Sequence, residues 1–235
     1  MLQIQQELKS LANPEKAKLL QKFFKTGKGE YAEGDIFLGI PVPVIRQTIK
    51  NYFSLEYQEL SELLNSKIHE ERLAALLILT KKFKKAKKDH KEKYKIHQFY
   101  LDNTKNINNW DLVDLSAPNI LGEFLLTNQD QSILKHLAKS NNLWEKRIAV
   151  ISTLAFIKKY KFGETLALSQ MLINDEHDLI HKAVGWMLRE IGKRNIETLE
   201  IFLKQNYKQM PRTMLRYSIE KFPKEKRQRY LKGEI

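Results

Sequence analysis

The apolar residues of this chain recur at intervals of three and four, and that spacing constrains the fold more than any other feature. LSELL (60–64), RLAALLILTKKF (72–83), KRIAVISTLAFIKKY (146–160) and AVGWMLREIGKR (183–194) each lay apolar side chains along a helical face. No series of alternating residues marks strands. Glycine and proline are scarce, nine and six in 235 residues, and they fall where the periodic runs stop. Breaks lie at Asn13-Pro14, at the Gly-rich stretch 27–34, at Pro41-Val42-Pro43 and near Asn106 to Asn109. Others lie at Asn141-Asn142, Lys161 to Gly163, Asn174-Asp175, Asn195, Pro211 and Pro223. The pattern predicts an all-α chain of helices about 10–18 residues long with short connections.

The helices also repeat. Glu71-Arg72-Leu73-Ala74-Ala75-Leu76, Lys146-Arg147-Ile148-Ala149-Val150-Ile151 and His181-Lys182-Ala183-Val184-Gly185-Trp186 superpose, each with a basic residue ahead of an apolar run. Arg72 and Arg147 stand 75 positions apart, and Arg147 and Lys182 stand 35 apart. The first interval is two steps of about 37, and its missing middle lands near Asn109. A period in the high thirties matches helix pairs that stack into an α-solenoid with a concave groove, as a single domain over 1–235. An ordinary helical bundle with coincidental similarity fits the same windows less well.

Charge narrows the partners. Forty-one Lys and Arg against 28 Asp and Glu give a net charge of +13. Such an excess attracts polyanions, chiefly nucleic acid or an anionic membrane surface, although it also serves solubility. No run of about 18 apolar residues offers a membrane span. The first residues, MLQIQQELKSLANPEK, read as an amphipathic helix and not as a signal peptide. Cysteine is absent, which excludes disulfides and thiolate chemistry and suits a cytoplasmic location.

Several familiar signatures fail. KTGKGEYAEG (25–34) has no Gly-Lys-Ser/Thr and no preceding strand, so it reads as a loop between helices. His69-Glu70-Glu71 lacks a second histidine at zinc-protease spacing, and no metal or cofactor site is expected. No nucleophile-elbow pattern occurs. The lysine run 80–95, read as one helix with Phe83 and Ala86 on its buried stripe, is either a solvated face or a phosphate-tracking surface. The segment 221–233 carries the same two readings.

The segment Asn108 to Pro118 is different. An Asn caps a helix, Asp111 suits its first turn, and Trp110 and Asp114 stand four residues apart on one face. Leu112, Val113 and Leu115 form the buried side. An indole beside a carboxylate builds a core poorly but can hold a cationic sugar or base; it also fits a half-buried structural Trp and a capping Asp. Arg147, Trp186 and Arg189 fall on equivalent helices, so a solenoid would line one groove with all five. Trp186 in the core and both arginines in surface ion pairs is the competing arrangement.

These windows resemble the AlkD-type DNA alkylation-repair glycosylases. The resemblance rests on Asn109-Trp110-Asp111-Leu112-Val113-Asp114 with Ser116-Ala117-Pro118, on Trp144-Glu145-Lys146-Arg147, and on Lys182 to Glu190 with Gly185-Trp186-Met187-Leu188-Arg189. Phe37-Leu38-Gly39-Ile40-Pro41 with Pro43 and Arg46 extends it upstream. The resemblance implies a solenoid of HEAT-like repeats that grips double-stranded DNA and releases N3- and N7-alkylated purines without a metal or other cofactor and without a deep base pocket. It implies that Asp114 is the catalytic carboxylate and that Trp110 and Trp186 pack around the lesion's deoxyribose. Arg147 and Arg189 are then DNA-binding, and the protein acts as a monomer. The Gly-rich stretch 27–34 departs from shorter members, and Phe23 or Phe24 stands where some members use a tyrosine. A catalytically silent DNA-binding or scaffold protein on the same repeats is the alternative.

Overall fold

The computed structural model describes residues 1–128 and 130–235. Every regular element among them is helical, and the β contact among them is a single parallel bridge between Ile36 and Ile68. The all-α expectation holds, and HEAT-like helix pairs stack within each of two compact units, Met1–Ile120 and Leu121–Ile235.

The first unit is built around helix His69–Lys85. Leu73 to Leu79 are buried without interruption, so the middle of this helix is apolar all round and runs through the interior. It packs against helices Val42–Thr48, Tyr57–Leu64 and Trp110–Ser116. Helix Pro14–Phe23 starts where Asn13-Pro14 predicts: Pro14 needs no donor in the first turn, and the Asn13 side chain accepts the Lys16 N–H at 3.0 Å. The lysine run does not form one helix. It ends helix His69–Lys85, turns at Ala86–Asp89, and begins helix His90–Asp102. Asp89 causes the restart, because its carboxylate caps the Glu92 N–H at 3.0 Å. Phe83 is buried as expected, while Ala86 lies in the turn and is only half-buried.

The second unit stacks helix Leu143–Ser152 against Ser132–Ala138 and Asp178–Gly192, and the last against Ile196–Asn206 and Arg212–Ser218. Gly185 permits a close approach between helices Asp178–Gly192 and Arg212–Ser218. A Cβ there would lie 2.5 Å from the Tyr217 Cβ and 2.6 Å from the Met214 carbonyl oxygen. The three repeated windows open at the third or fourth residue of helices His69–Lys85, Leu143–Ser152 and Asp178–Gly192. Two of their basic residues are buried and staple backbone carbonyls. Arg72 donates to Ser66 at 2.8 Å, and Arg147 to Leu179 at 2.7 Å. Lys182 instead pairs with Asp178 at 2.7 Å.

The start of helix His69–Lys85 gathers a buried polar cluster. The Glu70 carboxylate accepts the consecutive N–H groups of Leu38, Gly39 and Ile40 at 2.9, 2.8 and 3.3 Å. That loop can approach only because Gly39 has φ +83° and no Cβ; an added one would sit 2.2 Å from the Asn13 carbonyl oxygen. Beside it, His69 lies between two carboxylates, with Nε2 2.8 Å from Asp111 Oδ2 and Nδ1 3.3 Å from Asp35 Oδ2. Arg72 pairs with the other Asp35 oxygen at 2.7 Å. Burial alone would lower the imidazole's pKa. The charge and hydrogen bond of Asp111 and the hydrogen bond of Asp35 outweigh that, against the charge of Arg72, and raise it above 6.5. For Asp35, burial would raise the carboxyl, but the His69 hydrogen bond and the Arg72 charge, with smaller help from Asn109, hold it below its usual range.

Two predictions test this cluster. Gly39→Ala destabilises the protein by about 2 kcal/mol or more, read as a lower urea midpoint, because the added methyl meets backbone and the left-handed φ is strained. Asp111→Asn costs about 2–3 kcal/mol in mildly acidic solution, because it leaves a buried imidazolium with half its counter-charge. A group raised on folding stabilises fully below its unfolded value and loses that contribution as pH climbs through the folded one. The gap between wild type and Asp111→Asn is therefore widest below pH 6.5 and narrows in alkaline solution. Asp35 acts in the opposite sense: its contribution is full above 3.8 and is lost in acid. Chemical denaturation across pH reads both, and a pH-independent gap would remove His69 from the account.

Candidate active site

Helix Trp110–Ser116 is positioned from both sides of its first residue. Asn109, fully buried, caps it by accepting the Trp110 N–H at 2.8 Å, and its Nδ2 donates to Asp35 at 3.4 Å. Asp111, next along, is bonded to His69 and accepts the Leu112 N–H at 2.9 Å. Leu112 and Val113 are fully buried, so the helix turns that side inward. Trp110 and Asp114, one turn apart, share the half-buried side. Leu115, expected among the buried residues, is half-buried as well.

The Trp110 indole ends a column of nearly parallel rings. It stacks on Phe24 with centroids 5.2 Å apart and an angle of 17°. Phe24 stacks on Phe37 at 4.9 Å and 19°, and Phe37 on the His69 imidazole at 4.4 Å and 21°. Phe23 meets Trp110 edge-on at 6.1 Å and is 64% exposed. Each such aromatic pair adds about 0.5–1.5 kcal/mol beyond its buried area. The column explains why two phenylalanines precede the Gly-rich stretch: Phe24 supports the indole from inside and Phe23 extends the aromatic surface outward. A cavity of about 120 Å³ opens beside it, walled by Phe24, Phe37, Val42 and Leu73, with His69 and Asp111 at its polar edge.

Asp114 makes itself felt in the interior. Tyr100 is fully buried, and its hydroxyl lies 3.0 Å from Ser116 Oγ. Burial, with a smaller push from the Asp114 charge, raises the phenol well above its usual range against the Ser116 hydrogen bond. A half-buried carboxylate at this place can act on a positive charge that forms nearby.

The other three predicted residues belong to the second unit. Arg147 is 5% exposed, and its guanidinium donates to Leu179 as described. Trp186 is half-buried on helix Asp178–Gly192, with Nε1 3.3 Å from Glu190 Oε1. Glu190 also pairs with Lys193 at 2.6 Å and Arg194 at 3.2 Å. Burial would raise its carboxyl, but those cations and the indole N–H hold it below its usual range. Arg189 pairs with Glu220. Sequence reasoning singled out Trp110 and Asp114, and named Asp111 and Phe37 without their contacts, but missed His69 and Asp35, which tie the start of this helix in place. The available signal was the Phe37 to Pro41 segment with its glycine, which marks a close backbone approach.

Comparison with known proteins gives this geometry a family. The chain matches the DNA alkylation repair enzyme family over residues 4–222. No curated protein sequence matches it significantly. Among solved structures it resembles a protein described as a predicted DNA alkylation repair enzyme from Enterococcus faecalis. That match has TM-score 0.71 and 18% identity, covering 91% of this chain and 97% of that one. It also resembles AlkD2 from Streptococcus mutans, with TM-score 0.56 and 20% identity over 89% and 98% of the two chains. The smu.31 protein of Streptococcus mutans UA159 aligns with TM-score 0.54 and 19% identity over 93% and 96%. With a family match that spans nearly its whole length, this chain belongs to the AlkD-type DNA alkylation repair enzymes.

Proposed function

We propose that the chain is a monofunctional glycosylase that releases N3- and N7-alkylated purines from duplex DNA. The observation that carries this reading is the pairing of Trp110 and Asp114 on the half-buried side of a helix whose first turn is pinned by Asn109 and Asp111. Alkylation at N3 or N7 gives the purine a positive charge. When the C1′–N bond breaks, its electron pair neutralises the departing base, so neither a strong general acid nor a metal is required. The positive charge passes to the sugar, as in other oxocarbenium-like transition states.

Asp114 supplies the opposite charge at that carbon and orients a water whose oxygen bonds to C1′ while its proton leaves to the carboxylate or to solvent. Trp110 offers an aromatic face to the cationic sugar, worth about 0.5–2 kcal/mol, and the Phe24 stack keeps that face from tilting. Trp186 offers an indole face to DNA from the second unit. Arg189 holds a strand phosphate. Arg147, nearly buried and bonded to the Leu179 carbonyl, serves DNA by holding its helix in place more than by direct contact.

Asp114→Asn retains duplex binding and slows base release by about 100-fold or more. Release of 7-methylguanine from methylated duplex under single-turnover conditions measures it. Undiminished release by the variant would take Asp114 out of the chemistry, and a wild-type protein that binds duplex but forms no abasic sites would leave a silent DNA-binding protein in place of an enzyme.

A further inference from the structure

Helices Asp178–Gly192, Arg212–Ser218 and Lys224–Lys232 of the second unit all contribute side chains to a cavity of about 360 Å³. Its charges are only partly matched. Asp178 and Lys182 pair with each other at 2.7 Å, and Thr213 also hydrogen-bonds Asp178. Glu220 is held by Arg189 from the neighbouring helix and by Lys221 at 3.2 Å. Arg216 and Arg227 remain, and neither has an ion-pair partner among the described residues. Arg227 Nε is buried with no hydrogen-bond partner. The Tyr217 side chain supplies a further polar wall.

We infer that this cavity is a phosphate site for a nucleic-acid strand, with Arg216 and Arg227 as the anion's ligands and Glu220 as a resident counter-charge that occupies Arg189 until a phosphate replaces it. Three observations fix the ligand class. Two arginines without carboxylate partners present the planar donor forks that suit phosphate oxygens. The cavity is much larger than a single ion needs and leaves room for the sugars that flank a phosphodiester. Asp178, Lys182, Trp186 and Arg189 recur at three and four along one helix, so the cavity continues the face that carries Trp186 and Arg189. Glu220 suits an exchangeable counter-charge because it is 41% exposed and contacts Arg189 from the surface; such pairs are weakly held. Its carboxyl stays ionised because Lys221 and Arg189 hold it below the usual range against slight desolvation.

The assignment rests on the DNA-repair reading but is tested apart from it, because undamaged duplex suffices and no base need be released. Wild type, Arg216→Ala/Arg227→Ala, the conservative Arg216→Lys/Arg227→Lys and Glu220→Gln are titrated with a short undamaged duplex at several salt concentrations. Losing two phosphate contacts makes the slope of log K against log salt shallower by about 1.8 and weakens binding roughly 10-fold or more near 0.1 M salt. The lysine variant recovers part of both. Glu220→Gln binds several-fold tighter, because Arg189 is freed without losing a cation; this single surface change also serves if the double alanine variant folds poorly.

Unchanged affinity and slope in the alanine variant, or no gain in Glu220→Gln, would overturn the site. Inorganic phosphate, titrated by thermal shift, separates the two sources of the anion. A phosphate-dependent rise in Tm that vanishes with the arginines, while duplex binding is untouched, would overturn the strand as the ligand. A wild-type protein that shows the salt slope but releases no methylated base defeats the glycosylase reading and leaves the phosphate site standing.

Discussion

The first unit depends on a buried imidazole with a carboxylate on each side. His69 is almost wholly buried, and a lone charge there would be prohibitively desolvated. Asp35 and Asp111 supply two negative charges and Arg72 a positive one, so the formal charges balance within a few ångströms once the imidazole takes up a proton, which its raised pKa favours. Such clusters roughly break even against apolar packing in energy, and their value is directional. Here the direction matters twice. Asn109 is bonded to Asp35 and Asp111 to His69, so the residues on either side of Trp110 are tied to one cluster. The indole then has little freedom left, and the Phe24 and Phe37 stack carries its orientation back to the same imidazole.

The second unit holds its polar residues differently. Its main helix contact relies on Gly185, where the absence of a Cβ lets Tyr217 and Met214 close in, and its ion pairs lie nearer solvent. The contrast suits the roles proposed for the two units. A carboxylate that must meet a transient cation gains from a site fixed before the reaction, because reorganisation during bond breaking would raise the barrier. Cations that grip a phosphate gain from partners that can be exchanged, since a deeply buried pair would have to be broken before DNA could bind.

Much of this was legible in the chain. The three-and-four spacing gave the helices, the breaks at Asn13 and Asn142 prove to be helix caps as the expected cap at Asn109 does, and the repeated windows fell at equivalent places on three helices. The cluster was not legible, for a physical reason. His69 meets Asp35 across 34 residues and Asp111 across 42, and local pattern carries no record of such pairings. A histidine without metal spacing carries no local signal, and Asp111, which does stand in the first turn of its helix, also turns its carboxylate to the imidazole. The basic residue in each repeat was visible, but its destination was not: Arg72 and Arg147 point inward to carbonyls while Lys182 stays half-buried. The break in the lysine run was readable from Asp89 and Glu92, three apart, which is the spacing of a helix start.

Net charge was the broadest clue to the partner and the least specific about place. The densest lysines are partly engaged within the protein: Lys85 lies 4.9 Å from the Phe53 ring, Lys93 5.2 Å from Phe83 and Lys95 4.3 Å from Tyr57. An ammonium over a ring keeps its charge but has part of its hydration and mobility already committed. Arginine differs, because its fork can hold a backbone carbonyl with one edge and still face an anion with another. A charge of +13 therefore bears on how strongly a polyanion is drawn in, whereas under the proposed reading the few arginines whose forks are incompletely matched decide where its phosphates come to rest.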